Sequence, residues 1–470
     1  MKTQHYKGNL LLIILCFLFS CEKPPTPNSF KEIVSFDLKK SDGTSFQPGE
    51  VAIKIFQDSV IVTVPYNTNR NPLTPYFTIT GLTILPASGV AQNFNVPVQY
   101  TVTAQDQTKR IYTVVVKPNN PPPGFVYFGN DNTFYALEAV TGKLAWKYES
   151  NASFAYSSAT YSNETIYVGG IDNKVYAFNA KTGAVRWEKT IATTGIESDA
   201  VFVDGTIYVG TNDDYLYALD AANGNEKWRF RTGANVSASP TVWNGAVYFG
   251  SSDGKLYALN ASTGELKWQY QTGAMINQSG PALVNGVIYV GSRDSYLYAI
   301  NASNGSLVWR FYANEISLEQ SSPTVANNIV YIGAWYNIST SEKGCFYAIN
   351  ATTGQLVWKQ LSNTGVSSSP TVANGIVYIT ADDMKIHAMN AATGTSIWQK
   401  EILPNSASPA VSDNIVYVGG GGTRYFYAFD AANGNEKWRF LLNGVGRTSC
   451  PLIIKVNGDP DYAGDSGLLQ

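Results

Sequence analysis

The stretch SASPTVWNGAVYFGSSDGKLYALNASTGELKWQY, residues 237–270, contains four runs typical of short β-strands. These runs, SPTVW, AVYFG, KLYALN and LKWQY, are rich in β-branched and aromatic residues, which favour a pleated sheet. Asn244 and Gly245 separate the first two runs and predict a two-residue hairpin turn, since both residue types accept a positive φ. The stretch therefore predicts one antiparallel four-stranded sheet with apolar side chains on both faces.

Similar units recur from residue 125 onwards, and each ends in a Gly-containing turn followed by a tryptophan. These tryptophans are Trp146, Trp187, Trp228, Trp268, Trp309, Trp358, Trp398 and Trp438. They are 40 or 41 residues apart, except for a gap of 49 between Trp309 and Trp358. A period of this length with four strands per unit is the mark of a β-propeller. We expect eight blades, with the indole groups packed between blades rather than binding a ligand.

The two ends of the repeat region indicate how the propeller closes. The first unit begins at Phe125 and lacks an inner strand, whereas TSCPLIIKVNG, residues 448–458, follows the last tryptophan and matches the missing run. We therefore predict an eight-bladed propeller over residues 125–458, closed by its C-terminal strand, with residues 459–470 as a tail. Cys345 and Cys450 then lie on different blades, so we expect two free, mostly buried thiols.

Residues 29–118 do not share the repeat and predict a separate small β-sandwich. The predicted strands are VAIKIF, DSVIVTVPYN, YFTITG, VQYTVTA and IYTVVVKP. Three consecutive prolines within residues 119–124 favour a semi-rigid linker. The chain as a whole is therefore expected to be all-β, an immunoglobulin-like sandwich followed by a propeller.

The N-terminal segment has the features of an export signal. Ten apolar residues, 10–19, follow two lysines and are too short a run to span a bilayer as a helix. The sequence Leu18-Phe19-Ser20-Cys21 resembles a bacterial lipobox, which implies a signal peptide over residues 1–20, a lipid on Cys21 and a tether over residues 21–28. The resemblance implies an outer-membrane protein, facing either the periplasm or the cell surface, that contacts the membrane through its lipid only. An ordinary signal peptide or an uncleaved anchor remains the alternative.

Composition and charge argue against several classes of function. Charged residues make up 14% of the chain, the formal net charge is −2 and no Lys/Arg cluster is present, so we expect no nucleic-acid partner. The two histidines are His5, in the signal, and His387. Because His387 occupies a tyrosine position of the repeat, we expect it to be a core residue. A histidine base or metal site is therefore not expected. Six aspartates precede a repeat Tyr or His by four residues, and we interpret them as turn-capping residues.

Aligned inner strands place polar residues at two positions, three residues and one residue before the repeat proline. The first position includes Tyr156, Glu197, Gln278 and Gln320, and the second includes Asp199. Positions two apart on a strand face the same way, so we expect both sets to line the central channel. Either a solvated channel or a site for a polar ligand would have this pattern.

The 49-residue gap contains an insertion, GAWYNISTSEKGC, with Trp335 and Tyr336. Amphipathic aromatic residues on a loop often serve recognition, although such a loop can also fold back on its own blade. The Gly-rich run GGGGTRY, residues 419–425, contains Arg424 and is expected on the same face of the propeller, in the eighth blade. These residues complete the candidate binding set.

The repeated AxTGxxxW motif resembles the quinoprotein, or PQQ-like, repeat family. Dehydrogenases of that family hold a quinone and Ca²⁺ above the propeller and often have an adjacent Cys-Cys disulfide, which this sequence lacks. The chain more closely resembles the BamB type of outer-membrane assembly lipoprotein. That resemblance implies a non-catalytic scaffold with no cofactor and with protein partners, among them the assembly machinery of the outer membrane.

The N-terminal module departs from the BamB pattern. It is similar to immunoglobulin-like spacers of Bacteroidota envelope lipoproteins. A surface carbohydrate-binding lipoprotein is therefore one alternative function, and a quinone-dependent dehydrogenase is the other.

Overall fold

The structure is a computed structural model that describes residues 28–46, 51–65, 68–118, 123–151, 153–314, 316–335, 344–362, 364–403, 407–455 and 460–461. The predicted signal peptide and Cys21 lie outside these residues. The chain divides into two compact units, residues 1–120 and residues 121–470.

The N-terminal unit is built from two sheets that share one hydrophobic core. Its strands are β1 Ile33–Lys39, β2 Ala52–Ile55, β3 Ser59–Val64, β4 Thr74–Ile79, β5 Thr83–Leu85, β6 Val98–Thr103 and β7 Lys109–Pro118. One sheet has the order β2-β3-β7-β6-β5, in which β3 and β7 are parallel, and the other pairs β1 with β4. Phe36 of β1 and Phe77 of β4 pack with Val62 and Val114 of the larger sheet. All five predicted strands are present, whereas β1 and β5 were not predicted.

The C-terminal unit contains eight antiparallel sheets among the described residues. Sheet 1 has β8 Pro123–Asn130, β9 Thr133–Glu138, β10 Leu144–Glu149, β39 Leu452–Lys455 and β40 Pro460–Asp461; sheet 2 has β11 Thr160–Ser162, β12 Thr165–Gly169, β13 Lys174–Asn179 and β14 Val185–Thr190; sheet 3 has β15 Val201–Val203, β16 Thr206–Gly210, β17 Tyr215–Asp220 and β18 Glu226–Arg231; sheet 4 has β19 Thr241–Trp243, β20 Ala246–Gly250, β21 Lys255–Asn260 and β22 Leu266–Gln271.

The second half of the unit continues the series. Sheet 5 has β23 Ala282–Val284, β24 Val287–Gly291, β25 Tyr296–Asn301 and β26 Leu307–Tyr312; sheet 6 has β27 Thr324–Ala326, β28 Ile329–Ala334, β29 Gly344–Asn350 and β30 Leu356–Ser362; sheet 7 has β31 Thr371–Ala373, β32 Ile376–Ala381, β33 Lys385–Asn390 and β34 Ser396–Glu401; sheet 8 has β35 Ala410–Ser412, β36 Ile415–Gly420, β37 Tyr425–Asp430 and β38 Glu436–Leu441. A short 3-10 helix, Gly421–Thr423, follows β36.

The strands form where the sequence predicts them. In sheet 4 the hairpin residues Asn244 and Gly245 have φ of 48° and 71°, as a type I′ turn requires. Every residue of β20 is buried, so both faces of the sheet are covered by neighbours. This explains why the central strands are continuous apolar runs rather than alternating ones.

Each repeat tryptophan joins its own sheet to the next. In sheet 4 the Trp268 indole Nε1 donates to the carbonyl of Ala302 in sheet 5 at 3.0 Å, and the hydroxyl of Tyr248 donates to the same carbonyl at 3.1 Å. The same indole bond is made by all eight repeat tryptophans, and the last one runs from Trp438 to Ala139 in sheet 1. The bonds therefore run around a closed β-propeller, and the predicted structural role of the tryptophans is confirmed.

The C-terminal strand closes the ring as predicted. Strand β39 pairs antiparallel with β8, with Leu452 opposite Tyr127 and Ile453 opposite Val126. The hydroxyl of Ser449 also accepts a hydrogen bond from the N–H of Gly129 at 2.9 Å. Cys345 in sheet 6 and Cys450 beside β39 are buried thiols and form no disulfide with each other, which confirms that they do not pair.

Among the described residues, no helix has the length and apolar character needed to cross a bilayer.

Candidate functional site

A cavity lies where the segments that lead into the inner strands meet around the propeller axis. Its empty volume is about 650 Å³, part of it open to solvent. The residues lining it include Tyr156, Glu197, Ser237, Gln278, Gln320, Ser367 and Thr448 from the first aligned position, and Ser158, Asp199, Ser239, Ser322, Ser369, Ser408 and Cys450 from the second. The prediction that both positions face the channel is confirmed for these residues. Ser406 lies outside the described residues.

The residues at the second aligned position are joined by a belt of hydrogen bonds around the narrow part of the cavity, which we call its neck. In this belt the backbone N–H of one sheet donates to a side-chain oxygen of the next sheet, and we refer to these residues as the axial belt. Ser322 donates to Ser369 and Ser369 donates to Ser408, each at 2.9 Å. Gly280 donates in the same way to Ser322 at 2.9 Å but has no side-chain oxygen with which to accept. The small size of these residues is therefore explained by the close approach of the sheets at the axis.

Asp199 takes the place of a serine in the axial belt. Its carboxylate accepts the Ser158 N–H at 2.5 Å, and its own N–H donates to the Ser239 hydroxyl at 3.2 Å. Burial raises the pKa of the Asp199 carboxyl above its ordinary value, although the bonds from Ser158 and Ser239 favour the ionised form. The neck thus holds one carboxyl group with a reduced tendency to ionise.

Tyr156 and Arg447 lie together among the lining residues. The Tyr156 side chain is 39% exposed, and the Arg447 guanidinium lies 5.3 Å from the centre of its ring. This is a cation–π contact that leaves a charged donor beside an aromatic surface. Arg447 was not predicted, because the segment after Trp438 was interpreted only as a closing strand.

Trp335 bridges sheets 6 and 7. Its indole Nε1 lies 3.3 Å from a carboxylate oxygen of Asp382, its backbone N–H donates to Ser317 at 2.8 Å, and its ring packs where a Cβ on Gly365 would lie. Trp335 directly follows β28, so the start of the insertion is held against the neighbouring sheet. Tyr336 lies outside the described residues, and the recognition role of both residues stays a prediction.

Arg424 lies apart from the residues that line the cavity. It has a left-handed φ of 61° and its guanidinium donates to the carbonyl of Asn443 at 3.3 Å. This contact ties the turn between β36 and β37 to the segment after β38. A binding role for Arg424 stays a prediction.

Glu319 is a second residue that the sequence reading missed. Its side chain is 6% exposed, one of its carboxylate oxygens has no hydrogen-bond partner, and the other lies 3.8 Å from Nε of Arg293. Burial raises the pKa of Glu319, while the positive charge of Arg293 opposes the effect. Glu319 directly precedes Gln320 of the cavity wall, so an alignment extended by one residue would have revealed an acid at a position that is charged elsewhere only at Arg447.

The predicted turn-capping role is confirmed for Asp253, Asp294 and Asp383, which each accept the backbone N–H two residues further on. Asp253 accepts the N–H of Lys255 in its own turn, the hydroxyl of Tyr257 and the N–H of Gly233 in the preceding sheet. His387 occupies the corresponding tyrosine position and lies 3.0 Å from Asp383. Within the described part of the chain, no group of three or more His, Cys, Asp or Glu side chains is arranged to hold a metal ion.

Comparison with known families gives a match over most of the chain. The model described as outer membrane protein assembly factor BamB matches residues 96–201, 192–341 and 341–466. The chain belongs to this PQQ-like repeat family. Residues 33–116 are similar to a second family model, described as SGBP, N-terminal. The propeller of this BamB-family chain is therefore preceded by a module with its own family relationship.

Solved structures similar to this BamB-family member include a BamB protein and a methanol dehydrogenase. The crystal structure of BamB from Moraxella catarrhalis has a TM-score of 0.52 and 20% identity, and the alignment covers 61% of this chain and 88% of that one. A europium-containing methanol dehydrogenase has a TM-score of 0.55 and 15% identity over 64% of this chain and 81% of that one. At these identities the structures show a shared fold.

A curated relative by sequence is the quinoprotein ethanol dehydrogenase of Pseudomonas aeruginosa, 38% identical over 76 residues. The match spans 16% of this chain and 12% of the dehydrogenase.

Proposed function

We propose that this chain is a non-catalytic, lipid-anchored protein of the cell envelope whose eight-bladed propeller binds protein partners. In this proposal each of the eight sheets is one blade, the N-terminal unit is an immunoglobulin-like spacer, and Cys21 carries the lipid. The description of the matching family makes the assembly machinery of the outer membrane the first partner to test.

The observation that carries the proposal is the difference between the two ends of the propeller. At one end the turns repeat the same device: the side chains of Asn260, Asn301 and Asn390 each accept the N–H two residues further on. At the other end the turns differ among six sheets. The position that differs is the second residue after β12, β16, β20 and β24, after Gly333 in β28 and after Thr380 in β32. These residues are Ile171, Asn212, Ser252, Arg293, Trp335 and Asp382.

We call these six positions the variable end. Because each of these six sheets presents a different side chain, the variable end can form a specific surface on a rigid scaffold. The repetitive turn end offers the same few groups many times and has less capacity for specific recognition.

The cavity residues fit a quinone–calcium site poorly. Calcium prefers several ionised oxygen ligands, whereas Asp199 is bonded to the backbone of Ser158 and has a raised pKa because it is buried. Glu197 is the other acid among the described residues that line the cavity. This donor set supports a binding function rather than quinone chemistry.

Site-specific photo-crosslinking in cells tests the scaffold role. A photoreactive residue at Asn212 or Ser252, on the variable end, should give a crosslink to a component of the outer-membrane assembly machinery. The same residue at Ser262 or Ser303, on the turn end, is the matched control and should not. Crosslinks of equal yield from both ends, or none from the variable end, would contradict the proposal.

Two further measurements test the other parts. Cys21→Ser should release the protein from the membrane fraction, and retention there would count against the lipid anchor. Dye reduction by the purified protein after addition of quinone, Ca²⁺ and an alcohol would show that the non-catalytic assignment is wrong.

A further inference from the structure

We propose that the axial cavity is the anchor of the protein-binding surface and receives the ammonium group of one lysine of the partner. The Glu197 and Asp199 carboxylates, which line the cavity just before β15, would bind that group. The inference rests on the proposed function, because it places the partner on the variable end.

The cavity and the variable end lie at the same end of the propeller. The first two strands of a sheet are antiparallel, as β15 and β16 are, so the segment that enters the inner strand lies beside the turn that leaves the second strand. The Ser237 hydroxyl of the cavity wall donates to the side chain of Asn212 in the variable end at 2.9 Å. A partner that covers the variable end therefore also covers the cavity.

The space inside the cavity suits a single side chain. The enclosed part that a bound group can occupy is about 90 Å³, far below the range of about 300–1,000 Å³ for small-molecule sites. One water molecule takes up roughly 30 Å³ in the liquid, so the cavity admits a few waters or the end of one side chain. A free ligand of ordinary size finds too little room, whereas a side chain that reaches in from a partner does not.

The cavity holds negative charge that no cation in the described part of the wall neutralises by an ion pair. Arg447 lines the cavity, but its guanidinium lies over the Tyr156 ring, 5.3 Å from the ring centre. The positive charge of Arg447 also acts on Asp382 of the variable end, where it opposes the rise in pKa that burial causes. Glu197 and Asp199 are thus left without a cation, and burial raises the pKa of Asp199.

The two carboxylates offer complementary contacts to an ammonium group. Asp199 is 7% exposed and its carboxylate accepts the Ser158 N–H at 2.5 Å, which fixes its orientation. Glu197 is half-buried, and its side chain has no hydrogen bond with another described residue, so both of its oxygens can accept. An ammonium is a compact point charge with three donors, whereas a guanidinium is a planar fork, so the small cavity favours lysine over arginine.

Zero-length crosslinking with a carbodiimide tests the contact, since it joins a carboxylate only to an amine that touches it. Applied to envelopes that contain the full-length protein, it should join Glu197 to a lysine of the partner that the photo-crosslinks from Asn212 identify, as mass spectrometry of the linked peptides would show. Glu197→Gln should abolish this peptide and lower the photo-crosslink yield from Asn212 at least about tenfold. Glu265→Gln, at an exposed acid of the turn end, is the matched control and should change neither result.

Two results would overturn the inference and leave the proposed function intact. One is a partner captured from Asn212 that has no lysine joined to Glu197. The other is an unchanged photo-crosslink yield from folded Glu197→Gln protein. Should that variant not fold, Asp199→Asn takes its place and should lower the yield in the same way.

A second probe decides the case in which no partner is captured. By saturation-transfer NMR, n-butylamine, which corresponds to a lysine side chain, should bind the purified full-length protein with a Kd of about 1–10 mM, and the uncharged n-butanol at least about tenfold more weakly. Glu197→Gln should remove this preference for the amine. The preference without any crosslink would count against the proposed function alone, whereas equal binding of amine and alcohol would overturn the inference.

Discussion

At the scale of single residues, the propeller depends on a joint between a tryptophan, a glycine and an alanine carbonyl. Trp268 packs against Gly305 in the next sheet, where a Cβ would lie 2.8 Å from the indole, and its Nε1 donates to Ala302. Gly305 also has a φ of 73°, which L-residues with a side chain rarely adopt. Glycine is thus required here for two separate reasons, the backbone conformation and the space.

A pair of substitutions separates these two reasons. Gly305→Ala should suffer both backbone strain and a clash with Trp268, whereas Gly245→Ala, at φ 71° with no atom within 4 Å, should suffer strain alone. We expect a loss of about 1–2 kcal/mol for Gly245→Ala and a further loss of about 1–3 kcal/mol for Gly305→Ala. Urea denaturation followed by tryptophan fluorescence measures both, and equal losses would show that the joint is loosely packed.

The buried Glu319 predicts a pH-dependent contribution to stability. Since burial raises its folded-state pKa, the folded protein binds the proton more tightly than the unfolded chain does. Stability should therefore decrease as the pH rises above the ordinary value of 4.5 towards the raised folded-state value.

Glu319→Gln should remove this penalty. Its urea midpoint should exceed that of the unchanged protein at neutral pH, and the difference should shrink below pH 4.5. The exposed Glu265→Gln is the control and should show no such trend. A lower midpoint for Glu319→Gln at neutral pH would mean that its ion pair with Arg293 outweighs the cost of burial.

At the scale of elements, the closing strand β39 joins the two ends of the propeller sequence by pairing with β8 in sheet 1. Ile453 is fully buried and lies in a core cluster with Val126 and Tyr417. Without β39, the edge of β8 would expose unpaired backbone groups. The strand is therefore expected to contribute to the stability of the whole ring.

Ile453→Asp tests this contribution by placing a charge in the core. We expect a loss of about 3–5 kcal/mol and faster hydrogen exchange of the β8 amides. Ile397→Asp makes the same change at a side chain that is 44% exposed and should have a small effect. If exchange in β8 stayed as slow as in the unchanged protein, the closure would not depend on this strand.

The repeat made the strands of the propeller predictable, whereas strands outside the repeat were harder to predict from the sequence. Strand β1 was missed because a register shift between Ile33 and Ser35 breaks its period of two, and β5 was missed because it has three residues and little burial. Arg447 was missed for a different reason. It meets Tyr156 through ring closure, and a contact so distant in sequence leaves no local pattern.

At the scale of the whole molecule, the two units have separate cores. The core cluster of the N-terminal unit contains residues from β1, β3, β4, β6 and β7, and none from the propeller. All ten tryptophans of the chain lie between residues 146 and 438, so tryptophan fluorescence reports on the propeller alone. The two units should therefore unfold in separate transitions.

Val62→Asp tests this independence, since Val62 is fully buried in the N-terminal core. The charge should destabilise that unit by about 3–5 kcal/mol, because it is buried without a partner. The urea transition seen by tryptophan fluorescence should not move, whereas the transition of the N-terminal unit seen by far-ultraviolet circular dichroism should shift to lower urea. Ile453→Asp is the reciprocal variant and should move the fluorescence transition. A fluorescence midpoint that falls with Val62→Asp would show that the propeller depends on the N-terminal unit for its stability.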